Sequence, residues 1–166
     1  MVVLVIIGIL VSVFTLSMGS FSDDQTTEHT RRLQTLIELA LEDATMQGRE
    51  LGLHVYQHGY EFSTQEASVD EEGAIVWNWV PLDEDRLLRP RELGEEFSLD
   101  LLIENKEVDL EYERPDADEY EPQVFLLSSG DLNPPFRVRL RPSYSAAALL
   151  LSVDADGVIE VTSDDF

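Results

Sequence analysis

The side chains in this chain that invite chemistry are its three histidines, a serine pair and an aspartate-rich turn. His54 and His58 stand four apart, which on a helix would set two imidazoles on one face for a metal ion. Here they straddle an alternating stretch and a turn, so they need not share a face. Asp154-Ala155-Asp156-Gly157 begins like a calcium loop, but the twelfth position counted from Asp154 is Asp165 rather than the expected glutamate. The tetrapeptide reads as a hairpin turn. Ser128-Ser129-Gly130 lacks the Gly-x-Ser-x-Gly elbow that exposes a nucleophile, and His29 falls in a helical stretch, so nucleophilic hydrolysis has no assembled support. Trp77 and Trp79, two apart, lie on one face of their strand, and packing against the helix is expected of them rather than ligand stacking. With no cysteine, disulfides, zinc-thiolate sites and thiol nucleophiles are excluded. No catalytic, cofactor-binding or metal residue is assigned, no small-molecule substrate is implied, and the chain is read as no enzyme.

The elements around these residues are more informative. Residues 1–18 read MVVLVIIGILVSVFTLSM, and the first charge is Asp23. About 20 mostly apolar residues cross a bilayer as a helix. Val3, Leu4, Ile6, Ile7, Ile9, Leu10, Val13, Phe14 and Leu16 are therefore read as a membrane anchor in contact with lipid. A cleavable secretory signal would need a basic n-region, which this run lacks. Because orientation is normally set by basic residues on the cytoplasmic flank, further residues upstream of Met1 are expected. Leu33, Leu36, Ile37, Ala40 and Ala44 then recur at helical spacing, with Arg31, Arg32, Glu38, Glu42 and Asp43 on the remaining surface. No proline intervenes and Gly48 offers a stop, so one helix can run from about residue 1 to 47, unless Gly19-Ser20 or residues 22–24 kink or break it.

After Gly48 the period changes to two. Residues 51–56 and 60–63 read as a hairpin, and 74–80, 97–103, 124–127, 136–140, 148–153 and 158–161 as further strands, with 108–112 as an optional addition to an expected total of six to eight. The organisation is a transmembrane helix over 1–21, its amphipathic continuation over 22–47, and a β-rich domain over 48–166. The fold class is α+β, a long N-terminal helix packed on a mostly antiparallel sheet domain.

Charge restricts the partners. Lys and Arg total 11 against 34 Asp and Glu, for a net charge of -23. Such a surface is repelled by phosphate backbones, so nucleic acid is not a partner. Residues 61–121 hold 21 of the acids against five basic residues, and solvent-exposed, flexible loops are expected to concentrate there. Arg137, Arg139 and Arg141 alternate with apolar neighbours and share one face of their strand.

An apolar helix continuing into an amphipathic one and then an all-β part, with MVVLVIIGIL at its front, resembles the type IV pilin-like superfamily. The stretch RRLQTLIELALEDATMQGRELGLHVYQHGYEF, followed by PQVFLLSSGDLNPPFRVRL, is similar to the H-type minor pseudopilins of type II secretion systems. In that family the helix ends in a segment like Gln47 to Glu50 and a strand returns through a segment like Gly59 to Phe62. A later strand-turn-strand corresponds to Phe125–Leu140, with Leu127 where proline is common and Asp131 where glutamate is. The family's basic leader, peptidase cleavage point, methylated phenylalanine and assembly glutamate match no residue here and are expected ahead of Met1.

The resemblance implies a pilin-like fold and a structural role. The chain would be a single-pass protein of the bacterial inner membrane with a periplasmic C-terminal domain. It would act as a minor subunit near the tip of the filament that drives folded proteins across the outer membrane, with other minor and major pseudopilins as partners. A minor type IV pilin of related fold is the nearest alternative, although a DNA-uptake pilin would carry a basic surface. From another class, the alternative is a membrane-tethered periplasmic enzyme or calcium-binding module. The major pseudopilin of such systems binds calcium, which leaves the acids of residues 116–121 as a weak candidate.

Overall fold

In the computed structural model the described backbone covers residues 2–116, 120–143 and 148–164, with side-chain surroundings described from residue 24 onward. Helix α1 runs unbroken from Val2 to Gln47, with no break at Gly19-Ser20 or at residues 22–24. It ends where the sequence supplies a stop. Gly48 takes the left-handed conformation (φ 63°), and the Arg49 amide donates to the Ala44 carbonyl at 3.1 Å, the six-to-one bond of a Schellman cap.

Eleven strands follow, more than expected because several are two-residue pairings. They are β1 (Leu51–Tyr56), β2 (Gly59–Val69), β3 (Ile75–Pro81), β4 (Arg91–Glu92), β5 (Phe97–Ile103) and β6 (Lys106–Glu107). Then come β7 (Val124–Leu126), β8 (Leu132–Asn133), β9 (Phe136–Pro142), β10 (Ala148–Val153) and β11 (Ile159–Asp164). They form two antiparallel sheets. The first has the order β3-β2-β1-β7-β8, with β4 also on β2, and the second the order β11-β10-β9-β5-β6.

Helix α1 lies across both sheets, touching β1 and β7 of the first and β9 and β10 of the second. Leu33, Leu36, Ile37, Ala40 and Ala44 are buried there, the last three completely. Opposite them, Leu51, Leu53 and Val55 of β1, Tyr60 and Phe62 of β2, and Val138 and Leu140 of β9 complete the core. The buried line starts earlier than apolarity suggested. Thr26 and Thr30 are also buried, and Thr30 satisfies its hydroxyl on the Thr26 carbonyl at 2.9 Å. A threonine that bonds back one turn can enter a core at little desolvation penalty, which is why a purely apolar pattern misses it.

One sequence expectation fails between β6 and β7. Residues 108–112 form no strand: after Val108 donates to Leu101 the chain leaves the second sheet and crosses to the β1–β2 turn, where Gln57 donates to Glu111 and Leu110. The acids around it, Asp109, Glu111, Glu113, Asp116 and Glu121, lie exposed on irregular chain, as expected. Residues 108–116 and 120–123 are nevertheless tied back as a strap across the outer face of the first sheet. Arg114 reaches the fully buried Glu61 at 2.6 Å, Tyr112 packs edge-on to His58, and the Tyr120 ring lies 5.2 Å from that of His54. Gln123 accepts from the Val55 amide at 2.7 Å and donates to its carbonyl at 2.9 Å, a side chain in the place of a neighbouring strand.

Candidate assembly surfaces

The residues that suggested chemistry are each occupied by the fold. Asp154 accepts from the amides of Asp156 (3.1 Å) and Val158 (2.9 Å), so its carboxylate closes the β10–β11 turn. Ser128 donates its hydroxyl to Glu50 at 2.8 Å. The Nδ1 atoms of His54 and His58 sit 2.7 and 2.8 Å from the carbonyls of Glu121 and Phe97. His29 packs on the Phe97 ring at 4.8 Å. Among the described residues no group of three or more His, Asp or Glu could hold a metal ion; residues 117–119, within the acids weighed for calcium, lie outside them, as does Asp165.

Burial sets the titration of the enclosed groups. It pushes the imidazoles of His29 and His54 below their ordinary value, and Arg32 adds to the effect at His29. It pushes the Glu61 carboxyl up against the pull of Arg114, and the Tyr56 and Tyr60 hydroxyls up to about 12. These are the signatures of desolvation in a core.

The tryptophan expectation is corrected. Neither ring packs on the helix, because odd-numbered positions of β2 and β3 face away from it. The ladder pairs Gln65 with Trp79 and Ala67 with Trp77, on the side of Glu61 and Ser63 rather than of Tyr60 and Phe62. Trp79 packs on Phe125 at 5.6 Å, and Trp77 is 65% exposed. The three arginines of β9 do share a face. Arg139 and Arg141 both pair with Asp100 of β5, Arg139 also meets Asp164, and Arg137 bonds Asn105. Arg139 and Arg141 are thus neutralised from within by Asp100 and Asp164, while Arg137 meets the uncharged amide of Asn105.

What remains as functional surface is the helix and its docking. Two turns clasp its end: Gly130, between β7 and β8, faces Thr45, and Gly157, between β10 and β11, faces Leu41. Gly157 has φ 75°, which favours glycine, and a Cβ there would stand 2.8 Å from a Leu41 methyl, which would have to turn aside. The anchor residues Val3 to Leu16 belong to α1, but their surroundings lie outside the described residues. Among the described residues no helix is long and apolar enough to cross a membrane.

A long helix laid on two antiparallel sheets is the architecture of a minor pseudopilin. The crystal structure of the minor pseudopilin EpsH from the type II secretion system of Vibrio cholerae matches with a TM-score of 0.61 at 20% identity, over 83% of this chain and 93% of that one. The solution structure of Escherichia coli GspH matches at 0.59 and 23% identity, over 84% and 88%. No family model matches. In sequence the chain is 30% identical to type II secretion system protein H of Aeromonas hydrophila, over 94% of this chain and 84% of that protein. It is 32% identical to the protein of that name from Pseudomonas aeruginosa, over 95% and 87%. The chain belongs to the type II secretion system protein H family.

Proposed function

We propose that the chain is a structural subunit of a type II secretion filament: a minor pseudopilin near its tip that contacts other minor and major pseudopilins and catalyses nothing. One observation carries the reading. A single 46-residue helix joins an uncharged apolar sequence to a half whose stripe is buried on the β body. At 1.5 Å per residue, 46 residues extend about 69 Å, long enough to span a bilayer and still dock. Residues 1–21 reside in the inner membrane before assembly and among the helices of other subunits after it. Residues 22–47 join that segment to the periplasmic body, 48–166. An uncharged segment suits both surroundings, because each is apolar.

The test is complementation. In a strain lacking its own copy, the chain supplied with its native upstream sequence restores release of secreted proteins to the medium and co-purifies with other pseudopilins. Release without co-purification, or catalytic turnover of a periplasmic substrate, overturns the reading.

A further inference from the structure

Beyond residue 64 the β2–β3 pair leaves the body as a two-stranded ribbon. Its faces differ. Asn78 bonds Ser68 at 2.7 Å on the inner face, whereas Ala67, Val69, Ile75 and Trp77 line the outer one. Val69 is 69% exposed, Ile75 70% and Trp77 65%. β3 also ends its sheet, so one backbone edge takes no strand among the described residues. A free edge beside exposed apolar side chains is a surface for strand addition, and natural proteins normally blunt such an edge.

Charge identifies the occupant. Between Thr64 and Asp85 lie Glu66, Asp70, Glu71, Glu72, Asp83, Glu84 and Asp85, with no Lys, Arg or His. A second copy is disfavoured: antiparallel pairing of two β3 strands about Asn78 brings Glu72 toward Glu84 and Glu71 toward Asp85, acid against acid at both ends. Like charges so placed repel. We infer that the outer edge of β3 is the docking strand for a different subunit of the same filament, received through an extended segment with alternating apolar side chains and Lys or Arg at both ends. Trp77 and Ile75 supply the apolar contact, while the acids fix register and exclude self-pairing. The inference rests on the filament reading above and names a surface for it.

The experiment uses the full-length chain in a strain carrying the secretion apparatus. Photoreactive benzoylphenylalanine replaces Trp77, which is exposed, so folding is unaffected. The expected result is an adduct to another filament subunit, mapped to an extended segment with basic flanks. Its yield falls about tenfold when Glu71→Lys and Glu72→Lys are added, since the steering charge is reversed. An adduct between two copies, an adduct to a helix, no adduct, or a yield insensitive to the charge reversal overturns the inference. Co-purification of the unaltered chain with other subunits, read in parallel, separates the two levels. If it persists without the adduct, only this surface is wrong; if it fails, the filament reading fails first.

Discussion

The carboxylate of Glu50 accepts the hydroxyl of Ser128 at 2.8 Å and lies 3.3 Å from its amide, joining the residue after the helix cap to the turn between β7 and β8. The two sequence stretches that carried the family resemblance, Gln47 to Glu50 and Phe125–Leu140, therefore meet in space. Charge-assisted hydrogen bonds contribute about 1.5–3 kcal/mol each. Partial exposure places Glu50→Ala near the lower end, about 1.5 kcal/mol, and Glu50→Gln, which keeps an acceptor, loses less. Urea unfolding of the full chain in detergent gives the order: unaltered, then Gln, then Ala. Equal stability of all three shows that the contact does not hold the turn.

Ile37 and Ala40 sit at the centre of the helix stripe, both at zero exposure. Ile37→Ala leaves a cavity between helix and sheets and costs about 2–5 kcal/mol. Ala40→Leu fails for the opposite reason, since a leucine there overpacks the seam between helix and sheets at about 1–3 kcal/mol. Thermal melts report both losses, while the same two substitutions at exposed Thr35 and Glu38 leave the melt within about 0.5 kcal/mol.

The strap is closed over Gly52, where an added Cβ would stand 2.6 Å from both the Pro122 ring and the Ser63 hydroxyl. Gly52→Ala should therefore lift residues 120–123 while leaving the inner face of β1 in its core. A glutamate-specific protease reads this. Glu111 and Glu113 are cut slowly in the unaltered chain and rapidly in the variant, with the rest of the body still resistant. Unchanged cleavage in the variant shows that the strap does not rest on β1.

Acid should weaken the fold through His54. Burial holds its imidazole below 6.5 in the folded state, although the Glu121 carbonyl and Glu111 pull it upward. The unfolded chain thus binds the proton more readily. The stabilisation is fully present above 6.5 and is lost as pH falls through the folded value; His29 titrates in the same sense. Glu61 acts oppositely: burial raises its carboxyl above 4.5, so below its raised value acid favours the folded state. The expected profile is a urea midpoint that declines on acidification from pH 7.5 to 5.5, with a shallower decline in His54→Asn. A midpoint that is flat or rises across that interval contradicts the assignment.

The hydrophobic period made the helix and most strands legible, because burial of one face leaves a repeat of 3.6 or 2 in the chain. Leu33 to Ala44 and β1, β5, β9 and β10 show this directly. The strap was illegible for the same reason. Its fixing residues, Arg114, Tyr120, Pro122 and Gln123, follow no period and reach partners far away in sequence: Glu61 and Asp83 for Arg114, His54 for Tyr120, Gly52 for Pro122 and Val55 for Gln123. Trp77 was misread because alternation tells which residues share a face but not which face meets the helix. That depends on β1 being central, with Leu51, Leu53 and Val55 turned inward, and one residue of register decides it.

The apolar segment supports the sharpest remaining prediction. If residues 1–21 cross the bilayer, Ile6 and Ile7 lie inside the apolar run, one turn or so from its midpoint at Val11, where an aspartate costs up to about 2.5–3.5 kcal/mol on insertion scales. Ile7→Asp should shift the chain from the membrane pellet to the soluble fraction and abolish complementation. The body, whose core begins at Thr26, retains its melt. Ile7→Leu controls for the change of side chain alone and stays in the pellet. Retention of Ile7→Asp in the pellet after carbonate washing would show that another part of the chain holds it to the membrane.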